Sequence, residues 1–416
     1  MDAHRFDPWL DWLNDRQATM VETTIRLAEI NSGSLNAAGV DAVGTALVEL
    51  CQPLGGQVEY LAVEPYTLIT QDGETLSFPL GHAIRIRKRP QAPFQVYLGG
   101  HLDTVYAPDH PFQHVRRLDD NRLNGPGVTD LKGGLLVMIN ALLAFERTPW
   151  AEQLGWEILL NPDEEIGSPS SAVLIAEAAR RVDVGLIYEP CMPDGSLAGA
   201  RKGSGNFSVV VQGRAAHAGR EHHLGRNAIR ALCDYTAALD RLNGQREGIT
   251  INPGFIHGGG AVNTVPDRAM ARFNIRIEQS EDEAWCLQQL QRLGDDINQS
   301  EGVQLQLYGQ FGRKPKVITQ SNQALLELAR DCGATLGLAL QWQPTGGCCD
   351  GNNLAAAGVP NIDTLGVQGG AIHSSDEYLC IDSLVPRAKL SALLLMQLAA
   401  DNESRAAIMQ AGGQHD

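Results

Sequence analysis

YLGGHLDTV (residues 97–105) and GPGVTDLKGG (residues 125–134) frame the stretch from which the fold is read. The apolar run at residues 94–98 has strand character and ends in Gly99 and Gly100. His101 and Asp103 follow at once, and Asp130 arrives 27 residues after Asp103 on a glycine-flanked turn. Residues 131–146 then carry Leu135, Met138, Ile139, Leu142 and Leu143 at helical spacing. A histidine and two aspartates thus stand where strands end and a helix begins, the region where open α/β sheets bind ligands. Their N and O donors suit a divalent metal, although each one alone reads equally as a helix cap or a turn carboxylate.

Two further strand-like runs end in acids. Residues 156–160 lead into NPDEEIGS (161–168), which puts Glu164 and Glu165 just past a strand. Residues 184–188 lead into Glu189 and Pro190. Three predicted parallel strands therefore end in HLD, DEE and EP, with carboxylates on one rim of one sheet. Far downstream, GGAIH (369–373) places His373 in a glycine-rich turn before SSDEY; by itself it reads as an ordinary loop histidine.

The 416 residues allow two or three domains with ample core. The 43% apolar and 20% charged content is that of a soluble globular protein. A net charge of −16 and a pI near 5.1 argue against a nucleic-acid partner or an anionic membrane surface. They leave anionic substrates open, because a bound metal inverts the local field. The acidic start MDAHRFDPWLDWLND has no apolar leader core, and no apolar run approaches the roughly 18 residues of a span, so a cytoplasmic protein with no membrane segment is expected. Eight scattered cysteines without a CxxC pair read as reduced thiols.

Taken in order, residues 7–30 read as an amphipathic helix and residues 37–54 as a second one. Strand-like stretches follow at 58–63, 76–78 and 83–86. The pattern changes near Ser204. Strand (207–212), helix (227–242), strands (248–257 and 268–277), helix (281–299) and strand (303–308) give the order β-α-β-β-α-β of a ferredoxin-like unit. The expected fold is α/β: a mixed-sheet catalytic domain of residues 1–202 and 314–416, interrupted by an inserted ferredoxin-like α+β lid or dimerisation domain at 203–313. Residues 322–336 and 384–400 read as helices of the first domain, and the polar tail from Asp401 is expected to fray. The insert has marked residues of its own: His217 in GRAAHAG, Asn263 in AVNTVPD, and Arg276 on the polar face of a strand that puts Phe273 and Ile275 on the other. Each also reads as simple surface solvation.

HLDTV, GPGVTDLKGG, DEEIGS, YEP, HAG, NTVP and GGAIHSSDEY occur in the order found in the zinc-dependent aminoacylase, glutamate carboxypeptidase and succinyl-diaminopimelate desuccinylase family. The resemblance covers about residues 10–400 and is nearest to the glutamate carboxypeptidase branch. It implies a zinc-peptidase fold with two Zn²⁺ ions, for which Co²⁺ or Mn²⁺ can substitute. Asp130 would bridge both, His101 and Glu189 would complete one site, and Glu165 and His373 the other. Glu164 would be the general base, and Asp103 would orient His101. His217 would stabilise the oxyanion from a partner subunit's lid. Arg276 and Asn263 would hold substrate carboxylate or oxyanion, with Gly346 and Gly347 allowing close main-chain approach. A cis peptide bond between Asp130 and Leu131 is also implied.

The expected activity is hydrolysis of an amide to release an amino acid with a free carboxylate, on a small peptide or an N-acyl amino acid, by a homodimer joined through the insert. An N-acyl-amino-acid deacylase resembling acetylornithine deacetylase or desuccinylase is the alternative. Glu at position 189 looks like these two branches, whereas aminopeptidase-type relatives tend to have Asp. A catalytically silent binding relative would have lost a ligand or Glu164, and neither is lost. GGCCDG (346–351) departs from relatives with smaller or hydroxyl residues there, which makes Cys348 and Cys349 pocket-wall residues.

Overall fold

Gln95–His101 lies between two parallel neighbours, Gly155–Asn161 and Val184–Ile187. The register pairs Gly99 with Leu159 on one side and with Ile187 on the other. These three strands are buried along almost their whole length, as expected for near-continuous apolar runs in a parallel sheet. They run the same way side by side, so all three acid-bearing ends emerge on one rim. The six-stranded sheet is completed by Asn361–Ile362, parallel to Val184–Ile187, and on the other side by antiparallel Ala83–Lys88 and Gln57–Leu61. The computed structural model describes residues 3–410, so readings of the first two residues and the last six lie outside it.

The helix that follows Asp130 runs Gly133–Phe145. Its sequence spacing suggested an apolar stripe, but every residue in it except Leu143 is buried. It packs against the helices Gln17–Ala28 and Leu384–Ala400 as well as the strand Gln95–His101, so it needs apolar side chains all round. Leu135, Met138 and Leu142 are fully buried, each contributing on the order of 1.5–3 kcal/mol. This corrects the reading of membrane-span length. Val128–Phe145 is long and apolar enough by composition, yet 94% of it is buried inside the fold. The approach of helix to sheet depends on Gly134, where a Cβ would come 2.2 Å from the Tyr188 carbonyl oxygen.

Gly203–Gln212, Thr250–Gly258, Arg268–Ile277 and Gln304–Arg313 form a separate antiparallel sheet in which Gly203–Gln212 lies between the last two. The helices Ala228–Asp240 and Asp282–Asn298 cover one face. Phe207, Val209, Val211, Phe273 and Ile275 build a second core there with Tyr235, Leu239 and Leu290. Strand alternation leaves Asn274 and Arg276 on the opposite, partly exposed face. The chain leaves for this sheet and returns from it side by side: Arg201 N donates to Lys316 O, and Lys316 N to Arg201 O, both at 2.9 Å. Asp363 Oδ2 accepts from Arg201 Nε and Lys316 Nζ, both at 2.8 Å.

Two terminal expectations are corrected. The first helix is broken into Asp7–Asp11, a tighter turn Trp12–Arg16, and Gln17–Ala28. Among the described residues the tail is not frayed: Asn402–Gln410 is a helix that buries Ile408 against the main core. All eight cysteines are free.

Candidate metal centre

His101 is the last residue of its strand. Its Nδ1–H donates to the main-chain oxygen of Asp103 at 3.0 Å, with the Asp103 carboxylate 3.4 Å away. This bond assigns a proton to Nδ1, so Nε2 is the nitrogen that faces the cleft. Nε2 lies 3.2 Å from Asp130 Oδ1 and 3.9 Å from Glu189 Oε2. Asp103 therefore orients His101 chiefly through its backbone. Its carboxylate instead accepts from Glu164 N at 3.1 Å, Glu165 N at 3.2 Å and Ser34 Oγ at 2.6 Å. One aspartate thereby ties together the ends of two neighbouring strands.

Asp130 sits in a turn before the buried helix, and its peptide bond to Leu131 is cis. Its two carboxylate oxygens face different partners. Oδ1 faces His101, while Oδ2 is 3.3 Å from His373 Nε2. His373 Nε2 is in turn 3.1 Å from Glu165 Oε2. His373 reaches in from a distant loop with a left-handed backbone, φ 62°. The structure thus brings His101, Asp130, Glu165, Glu189 and His373 into one cleft. Donor atoms of His101, Asp130 and Glu165 lie within 4.8 Å of one another, as do those of His101, Glu164 and Glu189.

The electrostatics follow from four acids packed below the surface. Burial pushes the Glu165 carboxyl up to about 8, and the charge on Asp130 pushes the same way. Glu164 and Glu189 are also raised, mainly by burial. For Asp130 burial acts upward too, but the hydrogen bonds from His101 and His373 outweigh it and hold the carboxyl well below the usual range. The same bond to Asp130, then that to Glu165, lifts His373 to about 11. A buried crowd of mutually repelling carboxylates with two imidazoles among them has the oxygen and nitrogen donors, and the charge deficit, that a divalent cation satisfies.

Glu164 has an environment of its own. Arg313 Nη2 binds its Oε1 at 2.8 Å. The same guanidinium nitrogen contacts Ser168 Oγ at 2.8 Å and Asp350 Oδ1 at 3.2 Å. One oxygen of Glu164 is thus occupied by an arginine of the chain. Sequence reasoning missed Arg313. It ended the last strand of the insert near Tyr308, whereas the strand runs Gln304–Arg313 and delivers this arginine, buried, to the cleft. The alternation of that strand carries no signal for it. An arginine at the return from an inserted unit was the available cue.

The insert's other marked residues lie elsewhere. His217 is exposed, on Ala216–His217, paired with Thr264–Val265. Asn263 O accepts from Ala218 N at 2.9 Å, so these two candidates are brought together. Gly219 N and Arg220 N donate to His217 Nδ1 at 3.1 and 3.2 Å, which leaves the proton on Nε2 as an outward donor. Among the hydrogen bonds and ion pairs of the described residues, none joins His217 or Asn263 to the five clustered donors. Arg276 reaches the other domain: its Nη1 is 2.8 Å from Cys348 Sγ and its Nε donates to Asn274 Oδ1 at 2.8 Å. Cys348 follows Gly346 and Gly347, and Gly347 O accepts weakly from Arg201 Nη1 at 3.5 Å. Cys349 is buried and caps the helix Asp350–Ala356 through Gly351 N at 3.3 Å.

Clustered imidazoles and carboxylates beside a glutamate paired with a buried arginine suit one class, a metal-dependent hydrolase. The chain belongs to the peptidase family M20/M25/M40, whose pattern matches residues 97–397. It is 26% identical to carboxypeptidase G2 of Pseudomonas sp. (strain RS-16) over 93% of this chain and 91% of that one. It is 25% identical to a succinyl-diaminopimelate desuccinylase of Verminephrobacter eiseniae over 73% of this chain and 80% of the other. Its fold is shared with a Bacillus subtilis dinuclear metal-binding peptidase of the M20 family, with TM-score 0.63 and 15% identity over 92% and 99% of the two chains.

Proposed function

We propose that this protein is a dinuclear zinc carboxypeptidase that releases a C-terminal amino acid, glutamate in the first instance, from a small peptide or acyl conjugate. The observation that carries the reading is the division of Asp130, one oxygen toward His101 and the other toward His373. Asp130 would be shared by two ions, His101 and Glu189 would hold one, and Glu165 and His373 the other; Co²⁺ or Mn²⁺ would substitute. When bound, such ions polarise a carbonyl and make water acidic. Glu164 would take the proton from the attacking water and return it to the leaving amine. Arg313 keeps its carboxylate aimed at the cleft. The Nε2–H of His217 would donate to the developing oxyanion, and Arg276 with Asn263 would bind the substrate carboxylate. Gly346 and Gly347 would leave the main chain open to the substrate beside Cys348.

His217 and Asn263 are exposed, so they would act in closed or paired subunits. The edge strand Thr250–Gly258 exposes Phe255 and Ile256, and an isologous contact there would cover both. Carboxypeptidase G2 similarity over nearly the whole chain supports the carboxypeptidase reading. The desuccinylase similarity supports the second, an N-acyl-amino-acid deacylase. The test is to strip the protein of metal, reload it with zinc, cobalt or manganese, and assay C-terminal-glutamate peptides beside N-acetyl and N-succinyl amino acids. Glutamate release from the peptides is expected. Cleavage confined to the acyl amino acids would replace the first reading by the second, and no cleavage with any metal would remove both.

A further inference from the structure

The turn that carries Asp130 has main-chain N–H groups that no strand or helix satisfies, and such groups must find a partner when buried. They find it in one side chain. Glu377 is fully buried. Its Oε1 accepts from Thr129 N at 2.9 Å and from Asp130 N at 3.1 Å. Its Oε2 accepts from Gly127 N at 3.2 Å and from the Tyr106 hydroxyl at 2.8 Å. Glu377 lies four residues after His373, in the loop that delivers that imidazole. The grip is reinforced from both sides: Thr129 Oγ1 donates to Tyr378 O at 2.6 Å, and Asn124 Nδ2 to Glu377 O at 2.8 Å. The Tyr106 hydroxyl also lies 2.8 Å from Ser374 O.

We infer that Glu377 is the positioning residue of the metal centre, a buried carboxylate that locks the Asp130 turn to the His373 loop and so fixes the spacing of the two sets of donors. This rests on the metal-binding reading of the five clustered residues. The physical case is one of degrees of freedom. Asp130 must present both oxygens at once, in opposite senses, from a turn whose own dihedrals are non-helical (φ −116°, ψ 85°). Three N–H groups converging on one carboxylate fix that turn as a rigid body. Because the carboxylate sits on the other ligand-bearing loop, any drift of one loop drags the other. Groups behind the metal donors act on affinity by orienting those donors, typically by 10–100-fold.

The experiment compares the parent with Glu377→Gln, Tyr106→Phe and, as a control, Thr236→Val, which removes a buried hydroxyl donating to Leu232 O at 2.9 Å in the insert. Metal-free proteins are checked by circular dichroism and melting, and zinc affinity is measured by chelator competition. Glu377→Gln keeps the shape but sets an amide donor against N–H donors. Its zinc affinity is expected to fall about 10–100-fold, that of Tyr106→Phe to fall several-fold, and that of the control to stay at the parent value even where melting drops. Saturating zinc should return most of the turnover of Glu377→Gln. Unchanged zinc affinity in folded Glu377→Gln overturns the inference, because a purely structural anchor would move melting and leave affinity alone. Should Glu377→Gln fail to fold, unchanged affinity in Tyr106→Phe overturns it. A parent that does not bind zinc would instead overturn the reading of the site beneath it.

Discussion

The rim of the large sheet and the periphery of the inserted sheet both contribute candidate functional residues, and they are built in opposite ways. On the rim, His101 ends one of three adjacent parallel strands and Glu165 and Glu189 follow the other two; Asp103 braces the first two ends, and Glu377 holds the Asp130 turn. Asp130 joins them from the turn before the buried helix, and His373 from a distant loop. On the insert, His217 and Asn263 are exposed, and the main-chain bonds that join their neighbouring segments stay within the insert. The ladder holds its side chains in fixed positions through main-chain pairing, whereas the insert's candidates stand open to solvent. Arg313 belongs to both regions, since it ends a strand of the insert and binds Glu164 on the rim.

The contrast can be broken most sharply at Glu164. Glu164→Gln should lower kcat by about 10²–10⁴-fold while zinc content, measured by atomic absorption, stays at the parent level. Loss of zinc in parallel would make Glu164 a ligand and erase the distinction between it and Glu165. Next in size is the brace where the two regions join. Burial would raise the Asp363 carboxyl, but Arg201 and then Lys316 outweigh it and hold it at about 2 against an ordinary 3.8. A depressed acid stabilises the fold above its unfolded value and loses that contribution as pH falls through the folded one. Asp363→Asn should therefore cost about 3–5 kcal/mol at neutral pH, because it leaves two cations buried without their counter-charge. The gap between parent and variant in urea unfolding should narrow from about pH 4 toward pH 2. A gap that does not change with pH would show that packing, and not charge, holds the junction.

The smallest effect is expected on the insert. His217→Ala should lower kcat by about 10²-fold, the low end for one oxyanion donor, with zinc affinity unchanged. An unaltered kcat would remove His217 from the chemistry and leave the insert's part to Arg276, Asn263 and Arg313. Full activity in a protein that sediments as a monomer would confine His217 to its own subunit's cleft.

How much of this could be read from the chain follows from range. Strand ends were legible because the apolar runs before HLD, DEE and EP are buried on both faces, and such runs announce themselves. The ferredoxin-like order of the insert was legible for the same reason of period. The all-round burial of Gly133–Phe145 was not, since spacing alone cannot show that two further helices, Gln17–Ala28 and Leu384–Ala400, close over its back. Arg313 and Glu377 were missed because their importance lies in partners at 149 and 247 residues' separation, Glu164 and Asp130. Nothing local distinguishes a buried arginine at a strand's end, or a glutamate in SSDEY, from its solvated counterparts. The backbone route of Asp103 to His101 was likewise hidden, because the sequence names a side chain and not the carbonyl beside it.

The mutual hydrogen bonds of Arg201 and Lys316 have a consequence for how the polypeptide can be rearranged. A flexible loop must surrender entropy to bring its ends together, and that cost grows only with the logarithm of its length. Here the ends are already stitched by two main-chain bonds and pinned to Asp363. From the standpoint of the large sheet, the hundred or so residues between them are then a closed loop whose length matters little. Such a junction suits shortening, lengthening or exchange of what lies beyond it, provided Arg313 still reaches Glu164, while the host sheet keeps its register. It offers a natural graft point at which one hydrolytic centre can acquire different covers, and with them different clienteles of substrate.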